Sequence, residues 1–235
     1  MKSVSGHVAA EGLPPPKTIA ESVYRRLRSD IIWGVLAPGA ALRSDSLRKT
    51  YDCGISPLRE ALSRLASERL VTSSGQRGFR VAPIGAYDVV DIMETRLVIE
   101  GAALARSIEI GDVAWETRVV GTYHALSRAP FPTSQGPDAE VWTANHKAFH
   151  MALLSASKSE WQMYLADLLF DQAERFRILR AVKTAEQSNP RDPAKEHQRI
   201  VDAVLDRDVE ASLEALRVHY DVTKEMALEA LRQQQ

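Results

Sequence analysis

The segment that organises the first part of the chain is Ser56-Pro57-Leu58-Arg59-Glu60-Ala61-Leu62-Ser63-Arg64-Leu65. A serine followed by a proline is typical of a helix start, because the hydroxyl caps the helix and the missing proline N–H would have no intrahelical acceptor there. The leucines and alanine recur at helical spacing, so they form a buried stripe that leaves Arg59 and Ser63 on other faces. The segment therefore predicts an amphipathic helix that is capped by Ser56.

A basic tip between two β-prone runs follows this helix. The runs lie at 71–73 and 79–81, and the tip between them includes Gln76, Arg77 and Gly78. Short β-prone runs around a glycine-bounded tip predict a β-hairpin.

Two further helices are predicted upstream of Ser56. Apolar residues recur every four positions from Ile19 to Ile31, and Thr18 is the expected N-cap of this helix. Ser44 is expected to cap a second, shorter helix. Three helices and a basic hairpin within residues 18–82 predict a winged helix-turn-helix.

The rest of the chain has a helical pattern throughout. Breaks at glycines and prolines separate predicted helices at 86–109, 112–128, 138–157, 159–182, 192–206 and 208–231. Helices of this number and length predict an all-α helical bundle. The expected domains are a flexible arm at 1–17, the winged helix at 18–82, a linker at 83–88 and the bundle at 89–235.

Composition places the chain among ordinary globular proteins, since 45% of its 235 residues are hydrophobic and 26% are charged. A single cysteine excludes a disulfide framework and a cysteine-based zinc module. The sequence contains no apolar run of the roughly 18–20 residues that a membrane span needs, and its start lacks the pattern of a signal peptide. We therefore expect a cytoplasmic protein that makes no contact with a membrane.

Charge is distributed unevenly along the chain. Residues 18–82 carry 11 Arg and Lys against 6 Asp and Glu, whereas residues 83–235 carry 17 against 24. A basic segment joined to an acidic one predicts a part that binds nucleic acid and a second part with another role.

A helix-turn-helix places its second helix in the major groove, where residues near the helix N-terminus contact bases and phosphates. Arg59 has the fork of donors that reads guanine, and the wing tip would contact the neighbouring groove or the backbone. The alternative is that the winged helix docks a protein. The candidate contacts to double-stranded operator DNA are Ser56, Pro57, Arg59, Ser63, Gln76, Arg77 and Gly78.

These residues closely resemble the DNA-binding domain of GntR-type transcription regulators. The resemblance rests on three segments, Ser56–Leu65, Glu68–Val71 and Arg77–Val81. The helical remainder resembles the FadR-like branch of that family, whose effector domain (the FCD domain) is an all-helical bundle. The resemblance implies a homodimeric regulator, usually a repressor, that changes its DNA binding when a small metabolite binds.

Two positions depart from the pattern of this branch. Ile55 and Asp45 stand where many members have arginines that contact bases or phosphates. The usual operator of the branch is therefore not implied, and we expect Arg43, Arg48 and Lys49 to contact phosphates instead.

Four of the six histidines fall on predicted apolar faces. His146 and His150 are four residues apart on one helix, while His197 and His219 lie on the last two helices. A single inward histidine is usually an ordinary core residue. Four of them on three helices favour a shared divalent cation, because each buried neutral imidazole without a partner costs free energy.

The resemblance sharpens this interpretation. Effector domains of the branch often hold a metal with an Asp-x-x-x-His pair and one histidine on each of the last two helices. Three of these positions match, and His146 replaces the aspartate. A site made of neutral imidazoles favours zinc or nickel over manganese as the divalent metal ion.

The resemblance also implies a small organic acid effector that binds the metal and an inward arginine. Arg96 is similar to that arginine, and Arg177 is a second candidate for the same role. The alternative is that Arg96 is a surface arginine paired with Glu100, four residues further on.

The chief alternative function is a helical metal-dependent hydrolase that uses the histidines to activate water. The sequence lacks a His-Glu-x-x-His motif, a Glu-x-x-His pair and a phosphate loop, so we expect no enzyme and no catalytic residues. In a third interpretation the metal is purely structural, and its removal would unfold the bundle.

Overall fold

The computed structural model describes residues 16–73, 78–132, 137–181 and 192–233, without the side chains of residues 137 and 177–181. The predicted flexible arm lies outside the described residues except for its last two positions. We call the described part up to residue 82 the head and the part after it the body.

The head consists of three helices and a small sheet. The helices are α1 (Ile19–Ile32), α2 (Ser44–Tyr51) and α3 (Ile55–Ser67), and the strands are β1 (Ala41–Leu42), β2 (Val71–Ser73) and β3 (Phe79–Val81). All strands are antiparallel, in the order β1-β3-β2, so β2 and β3 form the predicted hairpin. The winged helix-turn-helix is confirmed. Strand β1 was not predicted, because two residues are too few to form a recognisable strand pattern in the sequence.

The first two helices of the head begin differently. The Thr18 hydroxyl accepts a hydrogen bond from the N–H of Glu21, which confirms the predicted N-cap of α1. The predicted cap of α2 is wrong, because Arg43 occupies the N-cap position and Ser44 is already the first helical residue.

The predicted cap of α3 is also wrong. Gly54 is the N-cap, with an extended backbone, and its carbonyl accepts a hydrogen bond from the N–H of Leu58 at 3.3 Å. Ser56 is therefore the second residue of the helix and Pro57 the third. The proline still lies in the first turn, where its missing N–H removes no intrahelical bond.

The apolar stripe of α3 packs against α1 and the sheet. Leu58, Leu62 and Leu65 are at most 1% exposed, and they share a core with Leu27 of α1 and Val81 of β3. Burial of each leucine contributes about 1.5–3 kcal/mol, and this packing fixes the orientation of the polar face of α3 relative to the rest of the head.

Six helices form the body within the described residues. They are α4 (Ala86–Ile110), α5 (Val113–Arg128), α6 (Pro137–Leu154), α7 (Glu160–Ala181), α8 (Pro193–Leu205) and α9 (Val209–Arg232). The all-α bundle is confirmed, and helix α4 begins at Ala86, within the segment that we interpreted as a linker. Among the described helices, none combines the length and apolarity needed to cross a membrane.

Helix α7 connects the body to the head. The side-chain amide of Gln172 donates a hydrogen bond to the backbone carbonyl of Glu68 at 2.8 Å, directly after α3. Arg175 donates to the carbonyl of Ala82, directly after β3. The two side chains also bond to each other, with Arg175 Nη1 at 3.1 Å from Gln172 Oε1.

Gly111 closes α4 against the first turn of α5. A Cβ atom at this position would lie 2.3 Å from Cε3 of Trp115 and 2.5 Å from the carbonyl oxygen of Ser107. We expect Gly111→Ala to lower the free energy of unfolding by about 1–3 kcal/mol, because packed atoms must shift to make room. Urea or thermal unfolding measures this change.

Gly121→Ala is the matched control for this prediction. Gly121 lies inside α5, and a Cβ atom there would meet nothing within 4 Å. Alanine is favoured over glycine inside helices, so this variant should be more stable by up to about 1 kcal/mol. A loss of stability of the same size in both variants would contradict the close packing at Gly111.

Candidate functional site

The exposed face of α3 presents the residues that were predicted to read DNA. Ser56, Arg59 and Ser63 are all exposed, and their spacing of three and four residues places them on one side of the helix. Pro57 is half-buried beside them. Within the described part of the chain, Arg59 has no hydrogen bond or ion pair, so its guanidinium is available to a ligand.

The candidate phosphate contacts lie beside this face. Arg43 and Arg48 are exposed at the start and in the middle of α2. Gly78 has a φ of +81°, a left-handed conformation that glycine adopts without strain, which supports its predicted place in the wing turn. The predicted wing contacts Gln76 and Arg77 lie outside the described residues.

The four predicted histidines meet inside the body. His146 and His150 come from α6, His197 from α8 and His219 from α9, and all four are between 1% and 6% exposed. Their potential ligand atoms lie within 4.8 Å of one another. Three helices therefore bring four imidazoles to one point.

Two glutamates contact these histidines from outside the cluster. Glu196 Oε2 lies 2.7 Å from Nδ1 of His219, and Glu174 Oε1 lies 3.4 Å from Nδ1 of His146. A carboxylate on one ring nitrogen fixes the tautomer and leaves the other nitrogen for a metal. Neither glutamate was predicted from the sequence, although Glu174 lies four positions after Phe170 on the same face of α7.

His150 is the most deeply buried histidine of the cluster. Its Nε2 has no hydrogen-bond partner among the described residues. Burial, together with the neighbouring His146 and His219, holds the pKa of His150 well below its ordinary value. The imidazole is therefore neutral at pH 7, with a buried nitrogen that lacks a protein partner.

Arg96 is buried beside the cluster, so it is not the surface arginine of the alternative interpretation. It is nevertheless paired with Glu100, with Nε at 2.6 Å from Oε1, and it donates to the Tyr220 hydroxyl at 2.9 Å. Burial disfavours the cation, but Glu100 and Tyr220 outweigh that effect and raise the pKa of Arg96. The side chain of the second candidate, Arg177, lies outside the described residues.

The histidines surround a small cavity of about 20 Å³, which is room for an ion or a single water. The cavity is lined by Arg96, Phe131, Trp142, His146, His150, Ala173, Glu174, Pro193, His197, His219, Tyr220 and Thr223.

Comparison with known proteins places both parts of the chain. Residues 19–81 match the family described as bacterial regulatory proteins, gntR family, and residues 91–222 match the FCD domain. The chain belongs to the GntR family. This GntR regulator is therefore a transcription regulator and not an enzyme, as the sequence predicted, and the hydrolase alternative finds no support.

Two curated relatives cover most of the chain. The HTH-type transcriptional regulator BphR of Paraburkholderia xenovorans is 37% identical over 219 residues, which are 90% of this chain and 88% of BphR. The HTH-type transcriptional repressor GlaR of Escherichia coli is 35% identical over 199 residues, 83% of this chain and 90% of GlaR. The solved structure of E. coli McbR/YncC shares the fold, with a TM-score of 0.70, 19% identity and coverage of 90% of this chain and 98% of that one.

The contact between Glu196 and His219 yields a prediction about metal affinity. We expect Glu196→Gln to weaken the binding of Zn²⁺ by about 10–100-fold, because the imidazole loses the carboxylate that fixes its tautomer and raises its basicity. Isothermal titration of the metal-free protein with Zn²⁺ measures the affinity. The matched control is Glu210→Gln, which removes an exposed carboxylate from the first turn of α9. Equal affinities of the two variants would contradict the role of Glu196.

Proposed function

We propose that this GntR regulator binds operator DNA as a homodimer and that its FCD domain holds one divalent metal ion on four histidines. A small organic acid would bind at that metal and change the affinity for DNA. The observation that carries the proposal is the cluster of four buried imidazoles within 4.8 Å of one another. The ligands would be His146, His150, His197 and His219.

The residues present fit such an ion. The four ligand atoms lie within 4.8 Å of one another, and opposite ligands of an ion with metal–nitrogen bonds of about 2.0–2.1 Å are about 4.0–4.2 Å apart, so an inward movement of the rings would complete the contacts. The buried Nε2 of His150, which has no partner in the described part, would gain one. Neutral nitrogen ligands favour zinc or nickel, which are the metals that we propose.

The metal would act as a Lewis acid that attracts the carboxylate of the effector. His146, His150, His197 and His219 would hold the ion, and the carboxylate would complete its coordination. Arg96 would be the second group that binds the carboxylate of the effector. Because Arg96 is bonded to Glu100, the effector would have to displace Glu100 or share Arg96 with it. Arg177 stays a prediction for the same role.

The size of the cavity determines how an effector would act. A space of about 20 Å³ holds an ion or a water, but not an organic acid beside it. Binding would therefore require the lining to move, and a ligand that prefers the moved arrangement shifts the population towards it. This requirement links occupancy of the site to a change in the body.

For DNA binding, we propose that α3 enters the major groove. Arg59 would read a guanine, Ser56 and Ser63 would contact neighbouring bases or phosphates, and Arg43 and Arg48 would bind phosphates. Pro57 would lie against the groove, and Gln76, Arg77 and Gly78 would form the wing contact. Two copies of the head would read two half-sites, the arrangement typical of helix-turn-helix dimers.

We further propose that the regulator represses transcription in the cytoplasm, where bacterial operator DNA is found. The E. coli relative GlaR is a repressor by its name, as is a relative from Paenarthrobacter nicotinovorans that is described as a probable repressor of a D-xylose utilization operon.

Substitution of two arginines that would make different DNA contacts tests the DNA-reading role. We expect Arg59→Ala to abolish specific binding at physiological salt, because it loses about 1–3 kcal/mol of base discrimination in each half-site. Arg48→Ala should instead weaken binding to all sequences and lower the salt dependence, since it removes a phosphate contact. Fluorescence anisotropy with a duplex selected by the protein, measured at several salt concentrations, separates the two effects. Unchanged specificity of Arg59→Ala would contradict the assignment.

The metal-centred response is tested by removing two ligands together. We expect His150→Ala with His197→Ala to keep DNA binding but to lose any rise in melting temperature that an organic acid produces in the Zn²⁺-loaded wild type. A panel of dicarboxylic and hydroxy acids in thermal melts provides the measurement, and the chelated wild type is the control. A double variant that still responds fully would exclude the metal as the binding point. A chelated wild type that is unfolded would indicate a structural metal instead.

A further inference from the structure

We propose that residues 170–176 of α7 transmit the occupancy of the histidine cluster to the DNA-binding head. In this proposal, Glu174 contacts the cluster, while Gln172 and Arg175 hold the head through two backbone carbonyls. The inference rests on the proposed metal site and adds the route by which that site would control DNA binding.

One face of the segment lines the histidine site. The ring of Phe170 lies 5.2 Å from that of His146 and 5.7 Å from that of His150. Ala173 and Glu174 line the cavity between the histidines. Positions 170, 173 and 174 follow the spacing of one helical face, so this part of α7 packs directly against the site.

Other positions of the same segment contact the head. Gln172 bonds the carbonyl of Glu68, the residue that ends α3, and Arg175 bonds the carbonyl of Ala82 behind the wing. These two carbonyls flank the wing hairpin, one on each side in sequence. The contact therefore holds both the recognition helix and the hairpin.

An ion-pair network adds a third contact between the same parts. Asp171 pairs with Arg28 of α1 in the head, and also accepts hydrogen bonds from Lys147 of α6 at 3.0 and 3.1 Å. Lys147 is the neighbour of His146 in the chain. The network thus joins the head to the helix that supplies two of the four imidazoles.

One hydrogen-bond donor of Arg175 is left unused in its contact with the head, as expected for a contact that changes between two states. Arg175 is buried, yet its Nε has no hydrogen-bond partner within the described residues. Burial lowers the pKa of Arg175 to about 10. A buried donor without a partner costs free energy, so a second arrangement of the head against α7 lies closer in free energy than it would for a fully bonded contact.

Consecutive residues of α7 contact the histidine cluster and the head. Glu174 and Arg175 are neighbours in a continuous helix, where side chains point about 100° apart and the backbone is rigid. A movement of Glu174 with His146 therefore moves Arg175 and Gln172 relative to the head. Coupling of this kind is reciprocal, so DNA binding would change the metal affinity in turn.

Hydrogen exchange tests the route without knowledge of the effector or the operator. Full-length protein is measured with and without one equivalent of Zn²⁺, and the readout is the exchange rate of amides in α3. The informative variants are Arg175→Gln, which removes the bond to Ala82, and Gln172→Ala, which removes the bond to Glu68 with less risk to folding. The control is Arg106→Gln, because Arg106 also donates to a backbone carbonyl (Ser157, at 2.8 Å) but lies within the body.

We expect Zn²⁺ to change α3 exchange by about fivefold or more in wild type and in Arg106→Gln, and by much less in the two α7 variants. Isothermal titration runs in parallel, and Zn²⁺ should bind all four proteins. If Zn²⁺ binds wild type without any effect on α3, or if both α7 variants keep the full effect, the route through α7 is wrong while the metal site stands. If Zn²⁺ does not bind wild type, the proposed metal site fails and this inference fails with it.

Discussion

The body depends on one constraint, which is the burial of four imidazoles at a single point. Polar groups lose their water when buried, and each one needs a partner to avoid a cost in free energy. Helices α6, α8 and α9 all meet at the cluster, and His150 has a nitrogen that no described residue satisfies. A divalent cation would supply the partner that the buried imidazoles need.

Helix α7 contacts both this cluster and the head. Its Phe170 covers the histidine cluster and its Glu174 contacts His146, while the residues between and after them bond the head. A small change at the cluster is amplified when it moves a helix that also holds a second domain, because packed elements shift between discrete arrangements. The fold thereby connects a buried site to the polar face of α3.

Periodicity predicted the features that lie within single helices. The stripe of leucines in α3 and the inward placement of the four histidines follow from spacing in the sequence. Glycine and proline breaks located the six body helices, although α6 ends at Leu154, three residues before its predicted end. The first residues of the helices were harder to predict. Ser56 has a side chain that often caps helices, but Gly54 is the N-cap of α3. Side-chain contacts between residues that are far apart in the chain leave no pattern in the local sequence. The contacts of Glu174 with His146 and of Arg96 with Tyr220 arise from packing and become visible only in three dimensions.

We propose that the histidine cluster binds one divalent ion, and anomalous diffraction would locate that ion. Crystals of the Zn²⁺-loaded protein would be measured on both sides of the zinc absorption edge. We expect one strong peak per chain, about 2.0–2.1 Å from a ring nitrogen of each of His146, His150, His197 and His219. A map without a peak among the four histidines, from protein loaded with one equivalent of zinc, would contradict it.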